Sequence, residues 1–144
     1  MAISSFRREV LKAFSFPVVL FVALPFIVTM FSAPLSFSNV VHALLILLAL
    51  LVPLYLTGFM LAPWAGRRLP ATKAPAFLMS TAAALASAVS LSVLVALSGS
   101  PSLSFSTAVI FAFFALPASV LGALLFIGGC ARLQASTPPE HGKV

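Results

Sequence analysis

Four uninterrupted apolar stretches divide the chain. The first runs from about Ala13 to Phe31 and the second from about Val40 to Ala62. The third runs from about Ala76 to Leu97 and the fourth from about Thr107 to Gly129, and none of the four contains Asp, Glu, Lys or Arg. At a rise of about 1.5 Å per residue, each is close to the ~20 residues that cross ~30 Å of hydrocarbon as a helix. Strands of a membrane barrel alternate polar and apolar residues over about ten positions, and these runs do not alternate. In lipid the backbone must satisfy its own hydrogen bonds, so runs of this length are expected to be helical. The pattern predicts an all-α membrane protein, a four-transmembrane-helix bundle formed by a single domain over residues 1–133. The polar tail 134–144, with Pro138-Pro139, is expected to be disordered.

Composition agrees with that reading. The chain has 144 residues, 62% hydrophobic and only 7% charged, with a mean hydropathy of +1.21. A soluble domain carries roughly a quarter charged residues. The net charge of +6 would point to nucleic acid in a soluble protein. Here the distribution of that charge argues for membrane orientation instead. Arg7, Arg8 and Lys12 precede the first span, Arg67, Arg68 and Lys73 lie between the second and third, and Arg132 and Lys143 follow the fourth. The connections Ser32–Asn39 and Ser98–Ser106 contain no charge. All the basic residues therefore belong to one side, which the positive-inside rule makes cytoplasmic, with both termini inside. Trp64 beside the Arg67-Arg68 pair suits a headgroup level, and Pro63, Pro70 and Pro75 are expected to break the helix between spans two and three. Cleavage near Phe31-Ser32-Ala33 is the rival reading of the N-terminus, but Phe31 is too large for a signal-peptidase site.

The external connections share a short sequence. Leu35-Ser36-Phe37-Ser38 recurs as Leu103-Ser104-Phe105-Ser106, each after a proline and before a span with an internal proline, Pro53 or Pro117. Two hairpins in parallel repeat would produce this, and so would the ordinary preference of Ser and Pro for turns and helix caps.

Span three carries small residues at Ser80, Ala84, Ala88, Ser92 and Ala96, with Ser87 beside them, and Gly122 lies on a similar patch in span four. Helices in lipid associate through close backbone approach and hydroxyl hydrogen bonds, so these residues form the expected helix-packing or partner interface, and span three should be the most enclosed. Ser80, Ser87 and Ser98 share a face at about 100° per residue, which suits either a polar path or hydroxyls bonded to carbonyls. Pro25, Pro53 and Pro117 each free a carbonyl one turn earlier, near Phe21, Ala49 and Phe113.

Catalytic equipment is sparse. The acids are Glu9 and Glu140, both outside the apolar spans, and the lone Cys130 excludes an internal disulfide. No set of His, Cys and carboxylate suits a metal, so neither enzyme activity nor cofactor is expected. Asn39 and His42, one turn apart, form a possible small polar site or a cap with an interfacial imidazole. The expected role is a non-enzymatic protein of a bacterial inner membrane. It would act in the lipid bilayer through helix contacts with a partner membrane protein, as an accessory subunit or immunity-type protein, or as a homo-oligomer; nucleic acid is not expected. The alternative is an oligomeric transporter or channel for a neutral or hydrophobic solute.

Overall fold

The computed structural model describes residues 3–24, 27, 28, 31, 36–99 and 101–136, with Asn39 and residues 101–112 described by backbone alone. Among them the chain is helical and has no strand. Helix α1 covers Ile3–Val18 and passes into a π-helical segment, Val19–Ala23; α2 covers Phe37–Arg68, α3 Ala74–Leu97 and α4 Pro101–Ala135. Three stretches, Val40–Arg68, Ala74–Leu97 and Phe113–Ala135, are long and apolar enough to cross a membrane. The first predicted span falls partly outside the described residues; of the Leu-Ser-Phe-Ser recurrence only Leu35 does, and the second copy, 103–106, lies within α4, which begins at Pro101 inside the predicted connection. Of the tail expected to be disordered, Gln134 and Ala135 instead form the end of α4, and residues 137–144 are not described.

Several boundaries differ from those predicted. Helix α1 begins at Ile3 instead of near Ala13, because hydropathy registers only where the charges stop, whereas an amphipathic helix needs one apolar face. Phe6, Glu9, Val10, Ala13, Phe14 and Pro17 are buried at spacings of three and four, and Arg7, Arg8 and Lys12 are exposed on the other side. Pro63 does not end α2, which continues to Arg68. A proline removes one hydrogen bond, but Ala62 and Ala65 on either side are fully buried, so packing holds the helix through it. Pro70 does lie in the turn, and Pro75 occupies the first turn of α3, where its missing N–H costs nothing. Helix α3 ends in a tight reversal: Gly99 adopts φ +88° and its N–H donates to the Ala96 carbonyl at 3.1 Å. Three residues separate Leu97 from α4's first residue, Pro101, and two of them, Ser98 and Gly99, are among the described ones.

Contacts fix the directions of the helices. Phe6 of α1 lies against Gly66 of α2, and Phe14, eight residues on, against Gly58; Glu9 lies against Gly129 of α4 and Phe14 against Gly122. Rising numbers on α1 meet falling numbers on both neighbours, so α1 is antiparallel to α2 and to α4. Helix α3 packs between the same two helices from the other side, completing an up-down-up-down ring. It has the largest buried share of the three long apolar helices, 33% against 28% in α4 and 11% in α2.

Among the described residues the contiguous core cluster lies at the end of the bundle where the basic residues lie, with Leu50, Ala88 and Leu91 buried beyond it. Phe6, Val10, Ala13, Phe14, Ala62, Ala65, Ala76, Met79, Ala83, Phe126 and Cys130 form one buried cluster. Toward the opposite end the same helices expose large side chains: Phe31 is 88% exposed, Phe37 87%, Leu97 81% and Phe113 75%. Glycine makes the packed end possible. A methyl group on Gly58 would stand 2.7 Å from the Phe14 ring and 2.9 Å from Val10, and one on Gly66 would collide with the Phe6 ring. Each glycine is a notch that receives an α1 side chain.

Candidate functional site

Directly above this core lies a cavity of about 90 Å³, lined by all four helices and the π-helical segment. Its wall combines aromatic and aliphatic side chains (Phe14, Pro17, Phe21, Leu50, Leu51, Leu54) with small ones (Ala84, Ala115, Ala118) and three serines (Ser80, Ser87, Ser119). Phe114 belongs to the wall and is 52% exposed, so the cavity is not sealed from the bundle surface. The π-helical turn is local to it. The Leu24 N–H donates to the Val19 carbonyl, five residues back, just before Pro25, which has no N–H to donate.

Every serine on the wall uses its proton on a backbone carbonyl. Ser80 Oγ donates to the Ser119 carbonyl of α4 at 2.7 Å, and Ser87 Oγ to the Leu50 carbonyl of α2 at 2.8 Å. Ser87 also stands 3.2 Å from the Ala83 carbonyl, and Ser119 Oγ donates to the Leu116 carbonyl at 2.8 Å. Leu50 is one residue beyond the carbonyl that Pro53 frees, so the hydroxyl reaches α2 beside its proline site. Among the described residues no buried side-chain nitrogen or oxygen is left without a partner. The cavity therefore presents hydroxyl lone pairs and hydrocarbon, and no free donor.

The structure divides the predicted helix-packing residues. Ser80, Ser87 and Ala88 are buried, Ala84 is half-buried on the cavity wall, Ser92 is half-buried with a bond to the Ala88 carbonyl at 2.8 Å, and Ala96 is exposed. The stripe is thus covered at its lower end and uncovered at its upper end. Gly122 is buried and faces Ser80 and Phe14. Ser98 does not join Ser80 and Ser87 on the wall: it is exposed and donates to the Val95 carbonyl in its own helix at 2.6 Å. His42 is exposed, with Nδ1 2.7 Å from the Ser38 carbonyl; the Asn39 side chain lies outside the described residues.

At the opposite, basic end, Arg7, Arg8, Lys12, Arg67, Arg68, Lys73 and Arg132 are all exposed, and the Arg68 guanidinium lies 5.2 Å from the Trp64 ring centroid. Sequence reasoning missed the placement of Glu9. It lies outside the apolar spans but inside the bundle, 6% exposed, with Oε1 3.0 Å from Lys12 Nζ and its carboxylate against Gly129. The signal was the three- and four-residue spacing of Phe6, Glu9, Val10 and Ala13. Cys130 is buried one residue beyond Gly129. Among the described residues no group of His, Cys, Asp and Glu is arranged to hold a metal.

No protein family, curated protein or solved structure matches the chain.

Proposed function

We propose that this is a non-enzymatic four-span protein of a bacterial inner membrane, with both termini cytoplasmic, that receives a helix of a partner membrane protein against its outer half. One observation carries the reading: among the described residues the contiguous buried cluster reaches only Ala83 of α3, and beyond it only Leu50, Ser87, Ala88 and Leu91 are buried. Above it the small residues that elsewhere bring helices together line an unsealed apolar cavity. Small side chains favour close helix approach in lipid, and Ala96 and Ser92 continue that surface upward past the covered part of α3. The chemistry of the wall supports binding over reaction, since it comprises only Phe, Pro, Val, Leu, Ala and Ser. An oligomeric transporter for a neutral solute draws less support. Ser80 and Ser87 already donate to carbonyls across helix interfaces, and Ser98 faces away from them.

Photo-crosslinking in native membranes tests the proposal. A benzophenone amino acid at Leu51, on the cavity wall, should yield one discrete protein adduct, lost when Ala84→Leu fills the wall. The same probe at Val89, which is 62% exposed, should yield lipid adducts only. Lipid adducts alone from both positions would overturn the reading.

A further inference from the structure

The antiparallel ring gathers arginine at one end of the molecule. Arg7 and Arg8 lie in the N-terminal half of α1, Arg67 and Arg68 close α2, and Arg132 lies in the last turn of α4. Lys73 stands just before α3. The contacts of Phe6 with Gly66 and of Glu9 with Gly129 place these termini together. Lys12 is held apart from the group, because Glu9 takes it at 3.0 Å. The six remaining cations have no acidic partner among the described residues, and five of the six are arginine. Trp64, 37% exposed, stacks beside Arg68 at the same level.

Six cations gathered at one end of the bundle, without an acidic partner among the described residues, are a strongly positive plate, and the residue type narrows what it suits. A lysine ammonium is a point charge that any counterion satisfies. A guanidinium presents a planar fork of donors that matches two oxygens of one phosphate. The indole beside Arg68 favours the depth at which lipid headgroups meet the acyl chains. We propose that this end is a binding face for anionic phospholipid headgroups, whose phosphodiester oxygens take paired hydrogen bonds from Arg67, Arg68 and the arginines of α1 and α4. The proposal rests on residence in a membrane and is independent of the partner helix, which belongs to the opposite half. Zwitterionic headgroups fit less well, because their own ammonium brings positive charge against the plate.

The test uses the purified full chain in a neutral detergent, titrated with phosphatidylglycerol and followed by native mass spectrometry of retained lipid. Phosphatidylcholine and inorganic phosphate serve as comparison probes. Phosphatidylglycerol should be retained at least about thirtyfold more strongly than phosphatidylcholine, and equimolar inorganic phosphate should not displace it. R67Q/R68Q should weaken retention roughly thirtyfold, from about 1 kcal/mol per cation near an anionic surface. R67K/R68K keeps the charge and loses the fork, and should weaken it about fivefold. Both positions are exposed, so an unchanged lipid-free melting midpoint verifies that the variants fold. Retention of phosphatidylcholine as strong as that of phosphatidylglycerol, displacement by inorganic phosphate, or a lysine variant equal to the parent would each overturn the proposal. Loss of the Leu51 crosslink would leave it standing.

Discussion

Gly66 and Gly128 show how far the role of one residue type depends on its surroundings. Both are helical, yet a methyl group on Gly66 would collide with the buried Phe6 ring, whereas one on Gly128 meets nothing within 4 Å. Gly66→Ala should therefore cost about 1–3 kcal/mol, since the ring has no free space to enter. Gly128→Ala should be neutral or stabilising by up to about 1 kcal/mol, through backbone entropy. Melting midpoints in a mild detergent will separate the two. Phenylalanine divides in the same way. Phe126 is 0% exposed and Phe113 75%. Phe126→Ala should cost about 1–3 kcal/mol, less than the ~3–5 kcal/mol of a water-soluble core, because lipid already solvates hydrocarbon and only lost packing remains. Phe113→Ala should leave the midpoint unchanged. Glu9 was identifiable as a face residue from its spacing. That its carboxylate lies over Gly129 was not, since the facing helix is more than a hundred residues along the chain.

Among the elements, α3 shows which properties follow from local composition. Its small residues make it the most enclosed of the three long apolar helices, as lipid-phase packing predicts. Which hydroxyl reaches which neighbour depends on register: Ser87 crosses to α2 and Ser80 to α4, while Ser98 turns back on its own helix. Ser87→Ala should weaken the α2–α3 pairing by about 0.6 kcal/mol and at most about 1.7 kcal/mol, read from thermal unfolding, and Ser98→Ala should have no effect. Helix α1 was harder to read. Its first ten residues mix charges with Phe and Val, and only a periodicity of 3.6 separates an amphipathic turn from a polar leader. Pro63 taught the converse lesson, since a breaker in an isolated peptide is tolerated where flanking alanines are fully buried.

For the whole molecule, the asymmetry among the described residues between a packed basic end and a far end with exposed Phe31, Phe37, Leu97 and Phe113 links the fold to the proposed roles. Both proposals share one orientation, with the packed end in the cytoplasm, and that orientation is directly testable. A cysteine replacing Ser36 should react with a membrane-impermeant maleimide applied from outside, and one replacing Ser136 only after the membrane is opened. Cys130, 1% exposed, should stay silent in both. The reverse labelling pattern would place both termini outside and remove the proposed function, and would move the arginine plate to the outer leaflet without removing its affinity for anionic headgroups.

Hydrocarbon runs of spanning length, the grouping of basic residues and the small-residue stripe are local or strictly periodic properties, so the order of residues alone determined them. The helix ends past the apolar limits, the glycine notches under Phe6 and Phe14, the burial of Glu9 and the cavity above mid-bundle required the tertiary structure. Each depends on which residue of a distant helix stands opposite, and that choice is made by steric fit between helices, on which the hydropathy of one segment is silent.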